Sequence, residues 1–282
     1  MSNQDASGVT AVVIADSMSH NSTRLITVEA RIHRFVLAEL NTHRMFSRNS
    51  SSSRAIPISR MIESVMLDPA MPISWGSNKP GMQAGDELSD SDIDKAKAAW
   101  LDARDSAVEA AEKLSTIGLH KQVANRLLEP FMWHTVLISS CEWGNFFEQR
   151  CSPLAQPEMK AAADAIKWAI DHSGPAPAAH HLPYITPFER GKLTLQEQMA
   201  CSVARCARVS YLTHGDTDLN VEKDIALYKR LVTANPPHWS PLEHVATSAN
   251  GWPHPGNFMG DWLQLRHHFK QLKTIERELA GR

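Results

Sequence analysis

Apolar and polar positions along the 282 residues of this chain alternate between two periods. Val9 to Ala15 (V-T-A-V-V-I-A) and Leu25 to Ile32 (L-I-T-V-E-A-R-I) are β-branched runs bounded by polar residues, a pattern that predicts two strands joined by the turn D-S-M-S-H-N-S-T. Val36 and Leu40 then fall at helical spacing and lead into a serine-rich stretch expected to be a loop. From Asp68 to Asp92 the chain is rich in Pro, Gly, Ser and Met and reads as irregular, with W-G-S-N-K-P-G-M-Q-A-G either a covering loop or a surface connection. Beyond Asp92 the period turns helical, with Leu101, Val108 and Ala111 on one face. A second helix is expected from Lys121 to Ser140. A third starts at Pro157 and repeats Met159, Ala163, Ile166 and Ile170 until Gly174. S-G-P-A-P-A-A-H-H-L-P (Ser173 to Pro183) combines a helix stop with spaced prolines and reads as a linker. Thr194 and Glu197 form a capping box opening a helix through Met199, Val203 and Cys206, and Val221, Ile225, Tyr228 and Val232 mark the next. Phe258, Trp262, Leu265, Phe269 and Leu272 predict a closing helical seam.

Composition narrows the class. A chain that is 43% hydrophobic and 21% charged is ordinary for a soluble globular protein, and no apolar run approaches bilayer length, so a cytoplasmic location with no membrane partner is expected. A net charge of -2 gives no global attraction to nucleic acid, and any phosphate recognition must be local. The four cysteines form no C-x-x-C pair and read as buried thiols. His180 and His181 lie in the linker without a partner cluster. His238 and His244 are six residues apart with Pro241 between them, so no metal is expected there.

The candidate chemistry gathers in L-A-E-L-N-T-H-R-M-F-S-R-N-S-S-S-S-R (Leu37 to Arg54), where five serines and Asn49 are bracketed by Arg44, Arg48 and Arg54. Hydroxyls and loop amides donate to phosphate oxygens and guanidinium forks pair with them, so a phosphorylated small molecule suits the stretch; a solvated loop with incidental arginines is the competing reading. His43, Arg44, Ser47, Asn49, Ser52 and Arg54 stand as H-R-x-x-S-x-N-x-x-S-x-R. That pattern resembles the signature of the flavin-dependent thymidylate synthases, the ThyX family. Thr42 replaces the family's usual first arginine and Ser50 its glutamate. A-N-R-L-L-E-P resembles the family's A-R-x-x-L-P and places Arg126 at its phosphate-binding arginine. N-F-F-E-Q-R-C-S-P-L-A-Q-P-E-M-K resembles F-L-x-L-R-x-x-x-x-A-Q-x-E-I-R, with Arg150 matched and Lys160 where the family has arginine. R-C-A-R-V-S-Y and H-W-S-P-L-E-H-V resemble segments with which such proteins usually begin, yet here they follow the others, which implies a permuted or partly duplicated order. The division implied is a core over residues 1–172, a linker over 173–183, and the displaced opening segments with a C-terminal helix over 184–282.

The resemblance implies an α/β (α+β) fold, a mixed or antiparallel sheet flanked by helices, and methylation of dUMP to dTMP with FAD, NADPH and methylenetetrahydrofolate. It implies that Ser52, Arg54 and Arg44 act in catalysis. Glu39, Ser52, Ser53, Arg54, Arg126 and Lys160 would hold the pyrimidine deoxynucleoside monophosphate, and His43, Arg44, Asn49, Arg150, His238, Ser240 and Glu243 would contact FAD. It also implies a homo-oligomer, as a tetramer. Glu39, Thr42, Ser50 and Lys160 all depart from the pattern, and exchanging an amide for a carboxylate or arginine for lysine changes what a base edge or phosphate can bond. A hydroxymethylase acting on dUMP or dCMP, and an inactive nucleotide- or flavin-binding homologue, are the alternatives.

Overall fold

The computed structural model describes residues 7–213, 220–248, 257–258 and 260–268. In chain order the strands are β1 (Thr10–Met18), β2 (Arg24–His33), β3 (Ser47–Ser50), β4 (Trp133–Ser140), β5 (Ala176–Pro177), β6 (His180–His181), β7 (Ala246–Ser248) and β8 (Trp262–Gln264). The helices are α1 (Leu37–Leu40), α2 (Ile58–Leu67), α3 (Asp90–Thr116), α4 (Lys121–Ala124), α5 (Gly144–Arg150), α6 (Pro157–Asp171), α7 (Pro187–Lys192), α8 (Leu195–Arg208) and α9 (Val221–Thr233). A five-stranded mixed sheet runs β3-β4-β2-β1-β5, antiparallel except where β5 joins β1, and a three-stranded antiparallel sheet runs β6-β7-β8.

The alternation of side chains along a strand divides the larger sheet into two faces. Ile26, Val28, Ala30 and Ile32 of β2 and Val136 and Ile138 of β4 pack with Met159, Ala163, Ile166 and Ile170 of α6, the apolar stripe visible in the sequence. Leu137, on the opposite face, packs with Cys206 and Val209 at the end of α8. The result is three layers, helix on sheet on helix. Residues 184–213 therefore share a core with the strands, and Arg205, 1% exposed, anchors them further by pairing with Glu189 at 2.6 Å and Asp224 at 2.8 Å. The bonds from Arg205, and after them those from Thr186, hold the Glu189 carboxyl down at about 2.

Three expected elements differ. The helix expected over 121–140 is one α-turn, a 3-10 stretch (Asn125–Phe131) and then β4. Pro130 lacks the N–H a helix needs, and T-V-L-I beyond it is a β-branched run buried on both faces. The serine loop is partly strand: Ser47–Ser50 pairs antiparallel with β4, Ser47 and Asn49 being small enough to lie buried on the α8 face. At the tail, Trp262–Gln264 is strand followed by a 3-10 turn (Leu265–His267), with Trp262, Leu263 and Gln264 all buried; Phe269 and Leu272 lie outside the described residues. Residues 173–183, expected as a linker, carry β5 and β6. Among the described residues no helix is long and apolar enough to cross a membrane, and no group of three metal-ligating side chains occurs.

A buried polar chain crosses the α8 face. Ser17 Oγ and His181 Nδ1 lie 2.8 Å apart, His181 Nε2 is 2.7 Å from Thr27 Oγ1, Thr27 is 2.5 Å from Ser139 Oγ, and Ser139 is 2.8 Å from His244 Nδ1. Burial holds His244 down at about 3; burial, then the charges of His244 and Arg190, do the same to His181, and burial with the Arg34 charge to His134. These rings stay neutral when folded but take up protons when unfolded near pH 6.5. Stability is thus fully present above that pH and is lost as pH falls toward 3, each ring contributing on the order of 1 kcal/mol per pH unit. Urea unfolding at pH 7, 6 and 5 is expected to show a steepening loss, whereas a flat profile to pH 4.5 would contradict the neutral buried rings.

Candidate functional site

β3 is the axis of the site, with chemically distinctive side chains at both of its ends and on the face toward α8. On that face Asn49 Nδ2 donates to the Cys206 carbonyl at 2.5 Å, one of the carbonyls a helix leaves open in its last turn. Its Oδ1 accepts from Ser210 Oγ and Ser240 Oγ, each at 3.4 Å. The Ser52 amide donates to the Ser210 carbonyl at 3.0 Å. Gln264 Nε2 donates to Ser47 Oγ at 2.6 Å and to the Glu243 carbonyl at 2.8 Å. Segments 150 and more residues apart are thereby stitched to one four-residue strand.

At the leading end of β3, Arg150 from the last position of α5 gathers three residues. Its Nε donates to His43 Nε2 at 3.0 Å, Nη1 to Glu39 Oε2 at 2.7 Å and Nη2 to Thr42 Oγ1 at 3.3 Å. A guanidinium can only donate, so His43 accepts at Nε2 and carries its proton on Nδ1. Burial, followed by the charges of Arg150 and Arg48, holds this ring below the ordinary histidine pKa. Arg48 Nη1 donates to the carbonyls of Leu40 (3.2 Å) and His43 (3.0 Å), fixing the turn that carries the ring. Arg44 is exposed and makes no ion pair among the described residues.

At the trailing end the chain bends through Ser51 to Arg54. Ser51 Oγ lies 3.0 Å from His134 Nδ1, and Asn125 Nδ2 holds the loop by donating to the carbonyls of Ser53 (2.7 Å) and Ile56 (3.1 Å). Ser53 Oγ donates to Glu129 Oε1 at 3.3 Å, and the same carboxylate takes Arg126 at 3.1 Å and Arg34 at 3.3 Å. The Arg54 amide donates to Ser52 Oγ at 3.3 Å, and its side chain is exposed.

The sequence-expected residues thus fall into three groups along β3. Glu39, His43, Arg44 and Arg150 cluster at one end, Ser52, Ser53, Arg54 and Arg126 at the other, and Asn49, Ser240 and Glu243 on the α8 side. Glu243 pairs with Arg266, whose guanidinium sits 5.8 Å from the Trp239 ring, and His238 is exposed on the same segment. Lys160 stands aside, paired with Asp164 one turn along α6 at 2.5 Å. Arg34, Glu129, His134 and Ser210 emerge only from the structure. Glu129 could have been found from its three-residue spacing to Arg126 in a helical segment, while Arg34 and His134 carry no such signal. A cleft of about 570 Å³ between Trp75 and Trp133 contains none of these residues. Along β3, Ser47, Asn49 and Ser51 are buried, Ser52 and Ser53 half-buried, and Arg44 and Arg54 exposed.

Residues 15–175, more than half of the chain, match the family described as thymidylate synthase complementing protein, Thy1, and the chain belongs to that family. The matched region runs from β1 through α6 and includes both ends of β3. Among solved structures, the chain is similar to a UMP/dUMP methylase PolB from Streptomyces cacaoi bound with 5-Br UMP, at 17% identity and a TM-score of 0.46 over 60% of this chain and 89% of that one. The same protein bound with 5-Br dUMP gives 14% identity and a TM-score of 0.46, over 60% and 90%. No curated protein sequence matches.

The Arg150 cluster makes a direct prediction. Replacing Arg150 with Gln removes a charge that holds His43 neutral, so the imidazole titration followed by NMR is expected to move up toward the ordinary histidine value. An unchanged titration would show that the two side chains do not meet in solution.

Proposed function

We propose that this protein methylates C5 of dUMP to give dTMP, using methylenetetrahydrofolate as carbon donor and NADPH as reductant with FAD as cofactor. The observation that carries the reading is the convergence on β3 of three stretches that resemble separate parts of the ThyX signature: Asn49 from the serine segment, Ser210 from R-C-A-R-V-S-Y and Ser240 from H-W-S-P-L-E-H-V. Membership in the Thy1 family supports it. The segment order is a permutation in which 184–282 supplies the pieces that elsewhere come first, and residues 173–183 make the join.

The residues fit phosphate-bearing ligands. Arg44 and Arg54 present exposed guanidinium forks, and serine hydroxyls and amides line the bend between β3 and α2. Ser52, Ser53, Arg54 and Arg126 hold and position the nucleotide, while His43, Arg44, Asn49, Ser240 and Glu243 frame the cofactor. When bound, FAD supplies the reducing equivalents that convert the transferred one-carbon unit to a methyl group. The chain's own contribution is to orient planar ligands and to stabilise charge on the pyrimidine carbonyls with fixed donors. A homotetramer would place the exposed Arg44 and Arg54 within reach of a neighbouring subunit.

One observation favours a second reading. Glu39 and Thr42, two departures from the family pattern, both bond Arg150, so a carboxylate and a hydroxyl stand where an amide and a further arginine are usual. An acceptor-only carboxylate suits the amino group of cytosine better than the carbonyl of uracil, and points to dCMP with a hydroxymethyl product.

Purified protein supplied with FAD and then freed of unbound flavin is expected to retain flavin absorbance and to convert dUMP to dTMP only with NADPH. Ser52→Ala is expected to lower turnover by about 10²–10³, the effect of removing one fixed donor. If dUMP gives no dTMP while dCMP gains a hydroxymethyl group, the second reading replaces the first; absence of both products and of flavin binding leaves an inactive homologue.

A further inference from the structure

Glu129 sits at the centre of the donor set at the trailing end of β3. Its Oε1 accepts from Ser53 Oγ at 3.3 Å and Arg126 Nη1 at 3.1 Å, and its Oε2 from Arg34 Nη2 at 3.3 Å. One hydroxyl and two guanidinium groups around a pair of oxygens is the arrangement a phosphate monoester also selects. We infer that Glu129 is an internal anion that occupies the phosphate donors of this protein, so that a phosphorylated ligand binds by displacing its carboxylate from Ser53, Arg34 and Arg126. The inference rests on the nucleotide reading above and adds two residues to it, Arg34 as a phosphate ligand and Glu129 as its competitor.

Charge balance supports the displacement. Arg34 and Arg126 together carry two positive charges, which match a phosphate dianion only if the carboxylate moves away; with Glu129 in place, the same oxygens would face a like charge a few ångströms off. The hub is also built to open on one side. The Arg126 side chain is 55% exposed and its bond to Glu129 spans three residues of the same segment, so that pair is weak and screened. Arg34 and Glu129 are each 21% exposed, and Asn125 fixes the Ser53 backbone independently of either. The serine and Arg34 can therefore stay in position while the carboxylate swings outward and leaves Arg126 to the ligand. An arrangement of this kind discriminates against weak anions, since only a ligand with enough charge to hold both arginines replaces an anion already there. Glu129 acts through these donors and is a positioning residue, not a catalytic one.

The test compares Glu129→Gln and Glu129→Ala with the wild-type protein by calorimetry, using inorganic phosphate, dUMP and deoxyuridine as separate probes, with melting curves to show that each variant is folded. Removing the internal anion is expected to tighten phosphate and dUMP about tenfold, and to leave deoxyuridine unchanged. A merely structural role would weaken all three probes in parallel. Phosphate binding that is unchanged or weaker in whichever variant remains folded would overturn the inference, as would wild-type and variant proteins that all fail to bind phosphate. Tighter phosphate with no binding of dUMP to any of the proteins would support the internal anion and instead overturn the nucleotide reading.

Discussion

The side-chain amide of Asn49 does two things that no apolar residue could do at that place. Its nitrogen satisfies an open carbonyl at the end of α8, and its oxygen collects hydroxyls from two further segments. β3 is the edge of the larger sheet, where unpaired backbone groups would otherwise be exposed to other chains. The C-terminal third covers this edge, and the bonds from Asn49, Ser47 and the Ser52 amide hold it there. Losing the amide would strand the buried Cys206 carbonyl, at a cost of about 1–3 kcal/mol. It would also free the bend that carries Ser52 and Ser53.

Electrostatics then divides the site along the strand. The guanidinium groups around β3 are not equally free: Arg150 is held by Glu39 and Arg126 by Glu129, whereas Arg44 and Arg54 stay exposed. Two acids inside an arginine-rich surface keep like charges from repelling one another in the unliganded protein, and they set which anions can compete. The same device appears in the C-terminal third, where Glu189 and Asp224 neutralise the buried Arg205. There both partners are desolvated and removing either would be strongly destabilising, whereas the pairs around β3 remain accessible to ligand.

Much of this organisation was legible in the sequence, for reasons particular to each element. β1, β2 and α6 were visible because one face of each is apolar at a clean period and is buried against another element. β4 was hidden behind a helix-like approach, with Pro130 as the one overlooked break. β3 was hidden because its buried residues are Ser47 and Asn49, whose burial depends on partners far along the chain. At the candidate site, Arg126 and Arg150 were singled out by resemblance to family segments, but what they bond was not legible, since Glu39 lies 111 residues from Arg150 and Arg34 lies 95 from Glu129. Ser210 and Ser240 stood in recognisable segments, although nothing in their spacing placed both on one amide.

The central claim is that separately encoded segments form one site because they are tied to the edge strand by Asn49. Native-state amide hydrogen exchange reads this tie directly at the Ser52 N–H, which donates to the Ser210 carbonyl. In the wild-type protein that amide should be protected. In Asn49→Ala its protection should fall together with that of the amides from 205 to 211, while the β1 and β2 amides keep theirs. If Ser52 protection is the same with and without the Asn49 side chain, the segments meet for another reason and the account is wrong.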